Sequence, residues 1–271
     1  MSLEFLEEYR DFAIKLAKEA GDRVLMKYYY DFQEQDWNAR QHFKTKVDEE
    51  SDKLIRKRIN EKYPEHNIYS EEDVNKESGS KFSWVIDPLD GTIGYTRKMT
   101  DHFSVNIAFA IGKEPVVGVT YAPKRKELYQ AVKGGGVYSS EFISSYSIIS
   151  PSLEENINHA MIGFDSGKET KKFKRAVLAQ YIEKLLAPNG MACTFCTGCA
   201  SVPLAVTANG NYDGYVALSL QPWDMAAGVV INREAGNKVT NINAKEWDLD
   251  DESILVANTK LHKKLLDLLN I

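Results

Sequence analysis

Phe82-Ser-Trp-Val-Ile-Asp-Pro-Leu-Asp-Gly-Thr92 is the stretch whose reading decides this chain. Phe82, Trp84 and Ile86 alternate with Ser83 and Val85, the period of a buried strand. Pro88 lacks a backbone donor and fixes φ, so the strand is expected to end there and the chain to turn. Asp87 and Asp90 flank that turn, which can aim both carboxylates to one side of the strand end. Two ionised carboxylates held close repel unless a cation lies between them. Hard divalent ions such as Mg²⁺ take oxygen ligands and keep waters, leaving room for phosphate oxygens. Gly91 permits close backbone approach, so the N–H groups of Gly91 and Thr92 can cradle a phosphate. Taken alone, Asp-x-x-Asp-Gly is equally a run of turn formers, and the rest of the chain must decide.

The 271 residues are enough for one large domain or two closely packed ones, with a core that needs no disulfides. A hydrophobic content of 43%, a charged content of 27% and a net charge of −5 describe an ordinary globular protein and argue against coating of nucleic acid. No apolar run reaches the length of a membrane span, and the acidic start Met-Ser-Leu-Glu-Phe-Leu-Glu-Glu has no signal-peptide core. Three cysteines crowded into seven residues do not make a secreted disulfide framework, so the cytoplasm is the expected compartment.

Leu6, Tyr9, Ala13, Leu16, Ala20 and Val24 step by three or four, which predicts an amphipathic helix over residues 3–27. A connector over 28–43 leads to a second helix near 46–63, opened by a possible capping box from Thr45 to Asp48. Asp48 therefore has a structural explanation, as an acid favoured at a helix N-terminus. His66–Tyr69 reads as a short strand closed by Ser70-Glu71-Glu72-Asp73. Strand-like segments follow at 103–111, 115–122, 127–132 and 137–149, with a glycine turn at 133–136. The first half thus reads as α+β with an antiparallel sheet. The second half alternates: strand 159–164, helix 168–187, strand 191–197, a small-residue helix 200–209, strand 212–218, helix 223–235, strands 238–242 and 253–257, and a last helix 260–270. A composition change near residue 150 divides an N-terminal half, 1–150, from a C-terminal half, 151–271. Asp224 opens a helix rich in small residues, a common place for an acid and a suitable one for a phosphate or metal-bound anion.

Glu71-Glu72, Trp84-Val-Ile-Asp-Pro-Leu-Asp-Gly-Thr92, and Trp223-Asp-Met-Ala-Ala-Gly with Glu234-Ala-Gly236 together resemble the signatures of inositol monophosphatases. These belong to the lithium-sensitive, Mg²⁺-dependent phosphatases, with fructose bisphosphatases and adenosine bisphosphate phosphatases. Order and spacing match along nearly the whole chain. The resemblance implies a layered αβαβα sandwich, usually dimeric, that hydrolyses a small phosphomonoester with a metal-activated water. Glu71, Asp87 and the carbonyl of Leu89 would hold one Mg²⁺; Asp87, Asp90 and Asp224 a second, with Asp87 bridging; a third, weaker ion would share Glu71. Thr92 and Asp48 would form a dyad in which the carboxylate takes the hydroxyl proton and the threonine orients the attacking water. Gly91 and Thr92 would bind phosphate beside Asp90 and Asp224. The implied partners are a small phosphorylated substrate and a second copy of the chain; no membrane is expected, and the net charge of −5 speaks against nucleic acid.

The chain also departs from that pattern. Gly94 stands where relatives commonly carry Asn, which is expected to loosen the turn. Ala217 stands where inositol phosphatases usually place a Glu against ring hydroxyls, so strict inositol specificity is not expected. An inositol phosphate, fructose 1,6-bisphosphate or another sugar phosphate remains open as substrate. So do a nucleotide of the 3′-phosphoadenosine 5′-phosphate type and a mainly protein- or RNA-binding regulatory role. Phe195 replaces an Arg common in relatives. Cys193, Cys196 and Cys199 have C-x₂-C-x₂-C spacing, yet a cluster normally needs a fourth Cys; the expected role is as small buried hydrophobes.

Overall fold

The computed structural model describes residues 2–31, 45–141, 147–167, 170–171, 173 and 175–269. Ser2 caps α1 (Leu3–Ala20), which continues through a π segment (Gly21–Leu25) into α2 (Met26–Asp31). The expected single helix over 3–27 is therefore one rod with a widened turn, where Asp22 accepts the Tyr121 hydroxyl at 2.6 Å. The rest of the proposed connector, residues 32–43, lies outside the described residues. Thr45 caps α3 (Lys46–Lys62), with the capping box to Asp48 formed.

Seven strands form the first sheet in sequence order. They are β1 (Asn67–Ser70), β2 (Phe82–Asp90), β3 (Ser104–Ile111), β4 (Glu114–Ala122), β5 (Glu127–Val132), β6 (Gly136–Glu141) and β7 (Ser147–Ile148). Only β1 and β2 pair in parallel; each later neighbour is antiparallel, as hairpin connections allow. The strand expected over 137–149 is thus β6 and β7, with 142–146 outside the described residues. The opening strand does not stop at Pro88. It runs to Asp90 through a register shift between Asp87 and Asp90, a bulge in which a residue without an N–H costs no ladder bond.

The alternation read in β2 separates two cores. Trp84 and Ile86 join Val105, Ile107 and Phe109 of β3 and Val117 and Val119 of β4 beneath α1 and α3, where Tyr9 stacks on Phe109 at 4.0 Å. Val85 and Ala108 face the other way, toward α6 (Ser201–Ala208) and α7 (Pro222–Ala235). Both of these helices are buried nearly all round, as their small residues require for a layer between two sheets. The second sheet has five strands, in the order β11 (Lys238–Thr240), β12 (Ser253–Ala257), β10 (Gly214–Leu218), β8 (Met161–Ser166), β9 (Cys193–Phe195). Tyr215 and Ala217 of β10 meet α6 and α7, while Val216 and Leu218 meet α5 (Arg175–Leu186) and α8 (Thr259–Leu269). The layers therefore run α1/α3, sheet, α6/α7, sheet, α5/α8: the αβαβα sandwich that the motifs imply. The helix expected over 168–187 is described from Arg175, and the strand expected over 191–197 shortens to β9.

Candidate active site

Parallel pairing of β1 with β2 sets Ser70 opposite Ile86, so Glu71 emerges beside Asp87. A buried clamp holds this edge. Asp52 of α3 accepts the Ser70 hydroxyl at 2.6 Å and the Arg56 Nε–H at 2.7 Å, and Arg56 also donates to the carbonyls of Asp73 and Val74. The Ser51 hydroxyl, on the same helix, donates to the Pro88 carbonyl at 3.0 Å and braces the bulge. Asp224 lies in the first turn of α7, where its Oδ2 accepts the Gln221 N–H at 2.8 Å. One carboxylate oxygen each of Glu71, Asp87 and Asp224 lies within 4.8 Å of the others. Residues 153 positions apart thus meet at one point, where the first sheet touches the middle helix layer.

The donor set of this cluster suits a cation. Asp87 is 1% exposed; its Oδ1 accepts the Leu89 N–H at 3.0 Å, while its Oδ2 is buried with no hydrogen-bond partner among the described residues. Burial, then the charges of Glu71, Asp90 and Asp224, push the Asp87 carboxyl well above the usual carboxylate range. An all-oxygen donor set with an orphaned buried acceptor fits a hard divalent ion.

Asp48 serves two partners. Its Oδ2 receives the Thr45 N–H at 2.8 Å and the Thr45 hydroxyl, and its Oδ1 lies 3.0 Å from the Thr92 hydroxyl. The same hydroxyl lies 3.0 Å from the Leu89 carbonyl, so one proton has two acceptors. Burial raises the Asp48 pKa against the opposing hydrogen bonds from Thr45 and Thr92, which makes this carboxylate a stronger base than a solvated one. Asp48 thus caps the helix through one oxygen and reaches the Thr92 hydroxyl with the other.

Gly91 adopts φ +86°, and a Cβ there would sit 2.6 Å from the His102 carbonyl oxygen. The turn thus requires glycine twice over. Gly94 does not loosen it. Residues Thr92–Thr96 form a helical turn, α4, and a Cβ at Gly94 would sit 2.5 Å from Thr100 Cγ2, so the threonine methyl occupies the space that an Asn would need.

Asp90 faces the same cavity of about 390 Å³, lined also by Glu71, Thr92 and Asp224. It is not among the three acids that converge most tightly, because its Oδ2 is committed to the entrance of α6. There it accepts the Ser201 N–H at 2.7 Å, the Ser201 hydroxyl and, at 3.1 Å, the Cys199 thiol. Ser201 continues to Ser104 of β3 at 2.6 Å. In the sequence Ser201, between Ala200 and Val202, reads as one more small residue of a helix entrance. The cysteines split: Cys199 is buried as expected, but Cys193 and Cys196 are exposed, and only Cys199 serves as packing.

Asp165 is a further buried acid on the cavity wall that the sequence reading passed over. Burial pushes its pKa up to about 7, against donors from Cys196, Gly198 and Tyr215. The available signal was positional: an acid at the C-terminal end of an apolar strand that runs parallel to its neighbour, the end where α/β sheets place their sites.

The profile of the inositol monophosphatase family matches residues 6–270. The inositol monophosphatase of Dictyostelium discoideum is 30% identical over 97% of this chain and 96% of its own length. The protein named Nus factor SuhB in Escherichia coli K12 is 30% identical over 94% and 92%. The solved inositol monophosphatase of Anabaena superposes with a TM-score of 0.80 at 26% identity, covering 97% of this chain and 96% of the other. Motifs, five-layer fold and whole-length likeness agree, and the chain belongs to the inositol monophosphatase family.

Proposed function

We propose that this phosphoric monoester hydrolase uses Mg²⁺ to remove phosphate from a small sugar or polyol monophosphate. The observation that carries the reading is the buried Oδ2 of Asp87, without a hydrogen-bond partner among the described residues, in a carboxylate that converges with those of Glu71 and Asp224. Glu71, Asp87, Asp90, Asp224 and the Leu89 carbonyl would hold two or three ions. Divalent ions at such a site lower the pKa of a bound water and offset phosphate charge. The chain's own residues do the remaining work. Asp48 accepts the Thr92 hydroxyl proton, which leaves the threonine oxygen free to accept and orient the attacking water. The N–H groups of Gly91 and Thr92 receive phosphate oxygens, and the forced backbone at Gly91 keeps them in place before substrate arrives.

Phosphate release from myo-inositol 1-phosphate, fructose 1,6-bisphosphate and adenosine 3′,5′-bisphosphate, with Mg²⁺ and with EDTA, tests the reading. Wild type should turn over the first best, and Asp224→Asn should lose that activity while keeping its melting temperature. Metal-independent turnover, or an active Asp224→Asn, would sink the assignment.

Likeness to the protein named a Nus factor supports a second reading, in which the fold binds a macromolecule and catalysis is secondary. Full rescue of a deletion phenotype by Asp224→Asn would favour it.

A further inference from the structure

The metal cluster and the Thr92–Asp48 pair leave two acids of the cavity without a task, Glu72 and Asp165, and of these only Asp165 is buried. Asp165 is 4% exposed and lies near the end of β8, directly across the parallel ladder from Ala217 of β10. Partners across a ladder share a face, so both side chains point toward α6 and α7. Ala217 is fully buried in the packing of that layer, ends at Cβ, and offers a ligand no polar atom. The neighbouring strand offers a carboxylate at the cavity wall instead.

Asp165 is rigidly held. Its Oδ1 accepts the Gly198 N–H at 3.1 Å and the Cys196 thiol at 3.4 Å, and its Oδ2 accepts the Tyr215 hydroxyl at 3.1 Å. Three donors leave part of the capacity of a carboxylate, roughly four lone-pair positions, for a fourth. A buried acceptor fixed in this way discriminates between ligands: an alcohol that supplies a hydroxyl satisfies it, and one that cannot leaves it desolvated and short of a partner. A second phosphate would also be disfavoured by the acids around it. Among the described residues that line the cavity, Glu71, Glu72, Asp90, Asp165 and Asp224 are acidic and none is Lys or Arg.

We infer that Asp165 reads the leaving group, accepting a hydroxyl of the substrate's alcohol portion in place of a side chain at position 217, and so selects monophosphates of uncharged polyols. The inference rests on the phosphatase reading above. It makes Asp165 a specificity determinant whose removal is felt by some esters and not by others.

The test compares wild type, Asp165→Asn and Asp165→Ser on myo-inositol 1-phosphate, 4-nitrophenyl phosphate and fructose 1,6-bisphosphate, with melting curves to confirm folding. Loss of a hydrogen bond to a charged group corresponds to about tenfold to hundredfold. Both variants should lose that much kcat/KM on the inositol ester, mainly through KM, and stay within about threefold of wild type on the nitrophenyl ester, which carries no hydroxyl. The preference for monophosphate over bisphosphate should shrink with it. An equal loss on all three esters would show that Asp165 only braces the Gly198 turn, and no loss would show that it meets no substrate; either result overturns the inference. Calorimetric titration with myo-inositol 1-phosphate in Ca²⁺ keeps the two proposals apart. If wild type hydrolyses none of the esters, the phosphatase reading fails, yet about tenfold weaker binding by Asp165→Asn still upholds recognition by Asp165, and unchanged binding refutes it.

Discussion

Asp87→Asn should stabilise the metal-free protein while abolishing its reaction. The substitution is isosteric and keeps the acceptor for the Leu89 N–H. It removes the charge on the partnerless Oδ2 and puts there an amide that can donate to Glu71 or Asp224. Two unit charges separated by the cluster's 4.8 Å repel by about 3 kcal/mol at an effective dielectric near 20. Glu71 is exposed, and Asp87 relieves part of the repulsion by keeping a proton. A net gain of about 2 kcal/mol is therefore expected, or about 4–8 °C in melting temperature for a chain of this size. The pH dependence supplies a sign. A carboxyl whose folded pKa is raised binds more protons folded than unfolded, so its contribution to stability falls as pH rises from about 4 to its folded pKa. The advantage of the variant in EDTA should accordingly be small near pH 5 and larger at pH 8. Mg²⁺ well above its dissociation constant should raise wild type by an amount set by mass action, about 2.7 kcal/mol at a hundredfold excess. The variant should barely respond. Scanning calorimetry of both proteins in EDTA and in Mg²⁺ measures all of this. A variant that melts below wild type in EDTA, or one that keeps the full Mg²⁺ shift, would refute the view that the Asp87 carboxyl is a strained group held for a cation.

Other perturbations test the frame around that cluster. Gly91→Ala must place a Cβ 2.6 Å from the His102 oxygen at φ +86°; strain of about 1–3 kcal/mol should appear as a lower urea midpoint, together with loss of activity. Arg56→Met strands the buried Asp52 carboxylate and releases the Asp73 and Val74 carbonyls. It should cost about 3 kcal/mol and weaken Mg²⁺ binding measured by calorimetry, because the loop that carries Glu71 is no longer tied down; unchanged Mg²⁺ affinity would show that the clamp is irrelevant to the site. His262 is buried against Thr240 at 3.0 Å, and burial lowers its pKa to about 4. Between its unfolded value of about 6.5 and that value, the unfolded chain takes up a proton that the fold refuses, so stability falls with acid by about 2–3 kcal/mol. His262→Gln should flatten the drop in the urea midpoint from pH 7 to pH 4.5, while the carboxylates act alike in both proteins.

What could be read in advance divides along physical lines. The alternation around Trp84 and the helical spacing from Leu6 to Val24 report which faces are buried, and a periodic signal of that kind survives in any one sequence. Asp87, Asp90 and Asp224 stand out in the sequence because turn chemistry and a helix start place acids where their neighbours cannot neutralise them, and the structure gathers Asp87 and Asp224 with Glu71. The continuation of β2 past Pro88 was not legible: whether proline ends a strand depends on whether a ladder bond was needed there, and the partner strand decides that. The pairing of Asp48 with Thr92 was legible only through the family resemblance, since a capping box is complete in four residues, whereas the Thr92 hydroxyl comes from 44 positions away. Asp165 is the most instructive omission. In the sequence it is one acid after an apolar run, and only the parallel register of β8 with β10 sets it beside Ala217. The proposed reaction chemistry is legible in contiguous motifs because the acid cluster needs a bulge, a turn and a helix start, each a local device. The proposed recognition of the leaving group lies across a ladder, in a pair 52 residues apart, where a carboxylate on one strand can answer a missing side chain on the next with no trace in either motif.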